Sequence, residues 1–316
     1  MKICVLDGYT LAPGDLSWDP IRRLGETTIY DRTTPEELPE RAKGCGALLT
    51  NKTPLDGETI RNLPDLKYIG VLATGYNLVD VVTANELGIT VCNIPAYSTD
   101  SVAQMAFALL LAATNRVESY TQLNREGRWS ASADFCYTVS PIIELAGKTM
   151  GIVGFGHIGQ RTGEIAHAFG MRVIAFTSKP ADTLPEWAGK GDEENLGECD
   201  VVSLHCPLTD KTREMVDSNW LRRLKKGAIL INTARGPLVD ENAVCEALRT
   251  GQLGALCTDV LSEEPPRPDN PVLKAPNVFV TPHIGWASRE ARQRLLDIAA
   301  ENLEAFLYGN PRNVVK

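Results

Sequence analysis

Short runs of β-branched and aliphatic residues alternate with segments of helical periodicity along almost the whole chain. Because strands that alternate with helices are typical of parallel sheets covered by helices, this pattern predicts the α/β class with doubly wound parallel sheets. A first series of strands is predicted at residues 3–6, 47–50, 68–72 and 90–93. A second series is predicted at residues 149–153, 172–176, 201–205, 228–232, 255–260 and 278–280.

Two long helices are predicted outside these series. The helix at 101–115 connects the two series, and an irregular segment follows it around residues 129–141. The helix at 288–308 carries apolar residues on one side only, so it must pack against a core. Two strand series in one chain predict two domains.

Composition narrows the class of protein. The 316 residues are 43% hydrophobic and 23% charged, which is typical of a packed globular protein. A net charge of −8 argues against nucleic acid or an anionic membrane surface as a partner. The longest apolar run, at 105–113, is shorter than the about 20 residues that cross a bilayer. The first residues read as a strand and not as a secretory signal, so we expect a cytoplasmic protein.

The eight cysteines are scattered along the chain without a C-x-x-C pair or a Cys/His cluster. Neither a disulfide framework nor a metal site is therefore expected.

A glycine-rich sequence, Gly-Phe-Gly-His-Ile-Gly at 154–159, stands directly after a predicted strand and before a predicted helix. In this context G-x-G-x-x-G indicates a dinucleotide site. Gly154 would permit the tight turn, Gly156 would let the backbone approach the pyrophosphate, and Gly159 would let helix and strand pack closely. The helix N-terminus would face the negative charge.

The end of the next predicted strand bears on the choice of cofactor. NAD-binding domains usually place an acidic residue there, about 20 positions after the glycines, to accept from the ribose 2′-hydroxyl. This chain has Thr177, Ser178 and Lys179. Two hydroxyls and a cation suit a 2′-phosphate, so the sequence slightly favours NADP over NAD. The alternative is that Lys179 is an exposed loop lysine and that NAD binds without the acid.

Three further polar residues follow predicted strands of the second series. Arg235, Glu264 and His283 each lie beyond the carboxyl end of a different strand. Ligands bind at that edge of an open parallel sheet, so these residues are predicted to share one site and indicate an enzyme.

The motifs and their order resemble the D-isomer-specific 2-hydroxyacid dehydrogenases over nearly the whole chain. The resemblance rests on residues 151–159, 205–209, 232–241, 259–265 and 281–288. Residues 72–77 and Trp286 are most similar to glycerate dehydrogenases, also called hydroxypyruvate reductases. The resemblance implies hydride transfer between NAD(P)H and a small 2-keto acid, with hydroxypyruvate or glyoxylate as the best candidates.

The resemblance also implies catalytic roles. The guanidinium of Arg235 would donate hydrogen bonds to the carboxylate and the carbonyl oxygen of the substrate, a bidentate geometry that suits this planar group. His283 would be the general acid in reduction and the base in oxidation. Glu264 would bond the other imidazole nitrogen, fix the tautomer and favour the imidazolium.

Further residues are implied in binding. For the cofactor they are Gly154, Gly156, His157, Ile158, Gly159, Thr177, Ser178, Lys179, His205, Cys206, Pro207, Thr233, Ala234 and Asp259, of which Asp259 would face the nicotinamide carboxamide. For the substrate they are backbone amides of Ala73, Thr74 and Gly75, and Trp286 as a pocket wall. Asn51 and Lys52, which follow a predicted strand, could add the positive charge of the lysine nearby. A plain surface lysine at 52 and a tryptophan that only packs are the alternatives.

In the family, the first domain is completed by the C-terminal helix. The resemblance therefore implies a substrate domain of residues 1–98 and 288–316, an NAD(P)-binding domain of residues 99–287, and a cleft that closes over the substrate. It also implies a homodimer formed through residues 100–145. The alternatives are a dehydrogenase of the same family for another 2-keto acid or for 3-phosphoglycerate, and a non-catalytic corepressor that senses dinucleotides.

Overall fold

The structure, a computed structural model, describes residues 1–316. The chain divides into two compact units. The first unit comprises Met1–Ser98 and Trp286–Lys316, and the second comprises Thr99–Gly285. The resemblance implies that the chain returns to the first domain at residue 288. The division of the structure comes two residues earlier and therefore includes Trp286 in the first unit.

Twelve strands form the two sheets. They are β1 (Lys2–Val5), β2 (Glu26–Ile29), β3 (Ala47–Thr50), β4 (Tyr68–Val71), β5 (Thr90–Cys92), β6 (Thr149–Val153), β7 (Arg172–Phe176), β8 (Ala188–Lys190), β9 (Val201–Leu204), β10 (Ala228–Asn232), β11 (Leu253–Thr258) and β12 (Val278–Val280).

Ten α-helices connect or flank these strands. They are α1 (Asp19–Arg22), α2 (Leu38–Ala42), α3 (Gly57–Arg61), α4 (Val81–Glu86), α5 (Thr99–Asn115), α6 (Val117–Arg125), α7 (His157–Ala168), α8 (Ser218–Arg223), α9 (Glu241–Thr250) and α10 (Arg289–Leu307). No helix is both long and apolar enough to cross a membrane.

The first unit is a five-stranded parallel sheet in the order β2-β1-β3-β4-β5. Successive residues of each strand point to opposite faces. Ile3 and Val5 on one face pack with α10, whereas Cys4 and Leu6 on the other pack with residues of α2, α3 and α4. The one-sided apolar stripe of α10 therefore packs on this sheet.

The second unit is a seven-stranded parallel sheet in the order β12-β11-β10-β9-β6-β7-β8. Apolar residues of α5 and α7 cover one face, and those of α8 and α9 cover the other. From β6 the chain runs outward through β7 and β8 and then returns to β9 on the opposite side. The strand order thus reverses between β6 and β9, where open α/β sheets bind ligands.

The predicted fold class is confirmed, since both units are parallel α/β sheets with helices on both faces. β2, β8 and α6 are among the elements that the sequence did not single out. The two strands lie at sheet edges and carry the polar sequences Glu-Thr-Thr-Ile and Ala-Gly-Lys, and α6 buries none of its residues. An exposed element lacks the apolar periodicity by which it would be recognised.

Candidate active site

The glycine loop lies at the carboxyl end of β6, on one side of the point where the strand order reverses. Gly154 has a φ of +92°, and a Cβ there would collide with the backbone of His205 and Cys206. A Cβ on Gly159 would collide with the carbonyl of Gly154, so α7 packs directly against the loop. Gly156, the N-cap residue of α7, has open space where a Cβ would lie.

The other side of this point is formed by the segment that follows β9. Ser203 Oγ, which is buried, lies 2.8 Å from Nε2 of His205. Burial lowers the pKa of His205 to about 4, so the ring is neutral near pH 7 and adds no charge beside the glycine loop. Burial raises the pKa of the Cys206 thiol, which is therefore not a reactive thiolate. Pro207 is exposed, and its carbonyl accepts a hydrogen bond from Thr212 Oγ1.

Beyond β7 the chain forms an exposed polar turn. Thr177 Oγ1 accepts from the amide of Lys179 at 3.2 Å. Lys190 Nζ, at the end of the edge strand β8, donates to the carbonyl of Lys179 at 2.8 Å. The turn therefore has a second ammonium group that the sequence did not indicate, because β8 was not predicted.

Arg235 lies on the loop after β10, and hydrogen bonds fix the conformation of this loop. The buried side chain of Asn232 fixes this loop, because its Nδ2 donates to the Arg235 carbonyl at 2.9 Å and its Oδ1 accepts from the Ala234 amide at 3.1 Å. The guanidinium is exposed, forms no ion pair, and donates only to the carbonyl of Ala234, at 2.7 Å. Thr233 Oγ1 is buried without a hydrogen-bond partner.

Glu264 and His283 come together although they follow different strands. His283 Nδ1 lies 2.6 Å from Glu264 Oε2, and both side chains are partly exposed. Glu264 Oε1 accepts from the Leu261 amide at 3.1 Å, which orients the carboxylate. A carboxylate at Nδ1 holds that nitrogen as the N–H donor, so proton exchange is left to Nε2.

Asp259 stabilises the loop that carries His283 by accepting hydrogen bonds from it. Its side chain is 2% exposed and accepts hydrogen bonds from Thr281 Oγ1 at 2.6 Å, the Ile284 amide at 2.9 Å and the Gly285 amide at 2.7 Å. The carbonyl of Asp259 also accepts from the His283 amide at 2.8 Å. His283 has a φ of +54°, a left-handed conformation that these bonds on both sides maintain.

In the first unit, a carboxylate that the sequence did not single out organises the loop after β3. Asp7 accepts from the backbone amides of Asn51 at 2.8 Å, Lys52 at 2.5 Å and Thr53 at 2.7 Å. Asp7 and this loop lie where the strand order of the first sheet reverses, between β1 and β3. The rule that located Arg235, a polar residue beyond a strand, would also have located Asp7.

Asn51 differs from its predicted role beside a cation. Its side chain is 3% exposed, and its Nδ2 donates to the carbonyl of Leu72 at 2.7 Å. Asn51 is thus part of the scaffold beneath the 72–75 loop, whereas Lys52 is exposed.

The 72–75 loop has three bonded carbonyls and, from residue 73 onward, three amides without a partner. The carbonyls of Leu72, Ala73 and Thr74 accept from Asn51 Nδ2, the Ile94 amide and Asn93 Nδ2 at 2.7, 3.0 and 2.8 Å. The amides of Ala73, Thr74 and Gly75 donate to no group in the structure. Consecutive backbone amides without a partner are donors of the kind that bind anions. The remaining predicted substrate residue, Trp286, packs partly buried against the core that α10 covers.

These features of the second unit fit a dinucleotide. The glycine loop leaves room at Gly156 in front of the N-terminus of a twelve-residue helix, and a helix N-terminus attracts phosphate. The neutral His205 and the partnerless hydroxyl of Thr233 lie at the ends of neighbouring strands of the same sheet.

Comparisons with known proteins agree with this geometry. A sequence profile of the family described as D-isomer specific 2-hydroxyacid dehydrogenase, NAD binding domain, matches residues 107–285. The chain is 47% identical to a hydroxypyruvate reductase of Blautia hydrogenotrophica, over 100% of this chain and 99% of that protein. It is 43% identical to a glycerate dehydrogenase of Methylorubrum extorquens, over 91% of each.

A solved structure is similar over the whole chain. The TT0316 protein of Thermus thermophilus superposes with a TM-score of 0.88 at 38% identity, covering 100% of both chains. From the two parallel sheets, the glycine loop and these similarities it follows that the chain belongs to the D-isomer-specific 2-hydroxyacid dehydrogenases, oxidoreductases that use a nicotinamide cofactor and a small 2-hydroxy or 2-keto acid.

Proposed function

We propose that this protein reduces hydroxypyruvate and glyoxylate to D-glycerate and glycolate, and that it catalyses the reverse oxidation. The observation that carries the proposal is the 2.6 Å contact between His283 Nδ1 and Glu264 Oε2, a proton donor with its orienting carboxylate. The names of the relatives from Blautia and Methylorubrum support the choice of substrate.

Each functional group has a task in this reaction. The open amides of the 72–75 loop bind the carboxylate of the substrate. Arg235, which has no ion-pair partner in the structure, adds donors to the carboxylate and polarises the carbonyl oxygen. When bound, the nicotinamide supplies the hydride for the keto carbon. His283 Nε2 gives a proton to the oxygen that becomes a hydroxyl, and Glu264 orients the imidazole ring for this transfer.

Cofactor residues are assigned from the second unit. The glycines at 154, 156 and 159, with His157 and Ile158 at the start of α7, hold the pyrophosphate. The adenosine pocket is lined by His205, Cys206 and Pro207. The dinucleotide also passes Thr233 and Ala234. Asp259 faces the nicotinamide carboxamide in addition to holding the loop of His283, since a carboxylate has about four acceptor sites and three are in use.

We also propose that the protein prefers NADPH to NADH. Lys179 and Lys190 place two ammonium groups at the turn after β7, where a 2′-phosphate would lie, and Thr177 stands in place of the usual acid.

One assay tests the reaction and the cofactor together. Initial rates of cofactor oxidation are measured with hydroxypyruvate, glyoxylate and pyruvate, each with NADH and NADPH. We expect the highest kcat/KM with hydroxypyruvate and NADPH. Absence of turnover with all three acids, while cofactor binding is demonstrated by fluorescence, would contradict the assigned reaction, and a preference for NADH would contradict the phosphate site.

We further propose a homodimer formed through residues 100–145. Phe135 and Trp129 are 88% and 55% exposed, and α6 buries none of its residues within the chain. Apolar surface of this kind is typical of an interface. Light scattering after gel filtration should give twice the mass of 34.5 kDa, and Phe135→Asp should shift the protein towards the monomer. A monomeric native protein would contradict this proposal.

A further inference from the structure

The loop with the open amides is connected by hydrogen bonds to a distant part of the chain. Asn93, directly after β5, donates from Nδ2 to the carbonyl of Thr74 at 2.8 Å. The hydroxyl of Thr74 in turn donates to the carbonyl of Ile94 at 2.8 Å, and the Ile94 amide donates to Ala73 at 3.0 Å. The Asn93–Ile94 pair thus fixes the two residues at the centre of the loop.

Asn93 is itself held by residues from the other end of the chain. Its amide donates to the carbonyl of Asn313 at 3.1 Å, and its carbonyl accepts from Asn302 Nδ2 at 3.0 Å. Asn302 lies on α10 with 1% of its surface exposed, and its Oδ1 accepts from Asn313 Nδ2 at 2.8 Å. Both the Nδ2 and the Oδ1 of Asn302 are therefore hydrogen-bonded within this network.

The segment around Asn313 is anchored on the open edge of the first sheet. Val314 forms an antiparallel bridge with Cys92, and the Val315 amide donates to the carbonyl of Val91 at 2.9 Å. β5 is an edge strand, so these residues take up backbone groups that would otherwise have no partner in the sheet. Asn313 itself has a φ of +51°, a conformation that asparagine tolerates better than most residues.

We propose that residues 313–315 are a positioning element for substrate binding. Through Asn302 and Asn93 they hold the carbonyls of the 72–75 loop inward, so that the amides of Ala73, Thr74 and Gly75 present one preorganised surface to a carboxylate. The inference rests on the proposed function in taking this loop as the binding site for the substrate's carboxylate. Preorganisation lowers the cost of binding, so the network should act on affinity for the acid and not on the chemical step.

Two variants each remove one side-chain hydrogen bond of this network, at different points. Asn93→Ala removes the donor to Thr74 and leaves the backbone bonds of residue 93 in place. Asn313→Gly removes the donor to Asn302 and keeps the left-handed backbone that glycine adopts without strain. Asn310→Ala is the matched control, since Asn310 is exposed and only its backbone amide is bonded, to Ala305.

Kinetics with hydroxypyruvate and calorimetric titration with oxalate, a two-carbon dicarboxylate, give the first readouts. We expect both variants to raise the KM for hydroxypyruvate and the Kd for oxalate by about 3- to 10-fold, the effect of one neutral hydrogen bond. Their kcat and cofactor Kd should stay within about twofold of the wild type, and Asn310→Ala should change nothing. Unchanged KM and Kd in both variants would overturn the proposal, as would an equal fall of kcat and cofactor affinity.

A measurement that needs no turnover separates this inference from the proposed function. Amide order parameters of Ala73, Thr74 and Gly75 are measured by NMR in the wild type and in Asn313→Gly. We expect them to fall in the variant, and unchanged order parameters would overturn the positioning role. If the wild type failed to reduce any 2-keto acid while the order parameters fell, the assigned reaction would be wrong and the positioning of the loop would stand.

Discussion

His283 Nδ1 and Glu264 Oε2 are 2.6 Å apart, although 18 residues separate them in the chain and they follow different strands. The carboxylate orients the imidazole and holds Nδ1 as the N–H donor. Glu264→Gln keeps the shape but can present either its oxygen or its NH2 group to Nδ1, so the tautomer is no longer fixed. We expect kcat for the reduction to fall by about tenfold or more, with the cofactor Kd nearly unchanged. A wild-type kcat in Glu264→Gln would show that Glu264 has no part in the proton transfer.

Replacement of His283 should remove most of the turnover. Asparagine is the appropriate substitute because it tolerates the φ of +54° at this position and cannot supply the proton. We expect kcat to fall about 10²- to 10⁴-fold, with the cofactor Kd, measured by fluorescence titration, nearly unchanged. If His283→Asn kept the wild-type kcat, another residue would be the acid.

Arg235→Lys separates charge from geometry. Lysine retains the cation but loses the planar fork, so kcat/KM for the keto acid should fall by about tenfold or more while the cofactor Kd stays the same. Arg213→Lys, at an exposed position of the same unit, is the control and should be silent. An Arg235→Lys variant as active as the control would rule out bidentate recognition.

Gly156→Ala tests whether the backbone must approach the pyrophosphate. Nothing in the protein lies within 4 Å of a Cβ at this position, so the free energy of unfolding should change little. A methyl group would nevertheless occupy the space that the phosphates need, and the Kd for the cofactor should rise by about tenfold or more. The control is Gly189→Ala, since a Cβ there meets its nearest atom only at 3.9 Å. Equal affinity in both variants would place the pyrophosphate elsewhere.

His205 predicts a dependence of stability on pH. Its pKa is about 4 in the folded chain against an ordinary value of 6.5, so the unfolded chain binds the proton more readily. The stabilisation is complete above about pH 6.5 and is lost as the pH falls towards 4; by pH 5 this group costs about 2 kcal/mol. Urea unfolding of the apoprotein at pH 7 and pH 5 should therefore show a smaller loss for His205→Gln than for the wild type. Equal losses would show that His205 is already solvated in the folded chain.

The sequence singled out three candidate residues of the site because a simple rule applies to them. Arg235, Glu264 and His283 each follow a strand, and parallel strands bring their carboxyl ends to one edge. Glu264 and His283 are in contact, as this rule requires of neighbouring strands β11 and β12.

Other parts of the site could not be read in this way. The contact of Asn302 with Asn93 joins residues 209 positions apart, and no local pattern marks an asparagine on a helix as a partner of a distant loop. Lys190 was missed because its short edge strand has no apolar signature. Long-range polar contacts depend on how the elements pack, which periodicity alone does not encode.

The covering of the first sheet by α10 has a consequence for synthesis of the chain. β1 to β5 leave the ribosome first, but the helix that buries Ile3, Val5 and Tyr68 is translated only after the entire second unit. One face of the nascent sheet thus lacks its cover while residues 99–285 are made, although domains usually fold in order of translation. During that interval the second unit is free to fold by itself, whereas the apolar face of the N-terminal segment stays exposed until α10 has been made.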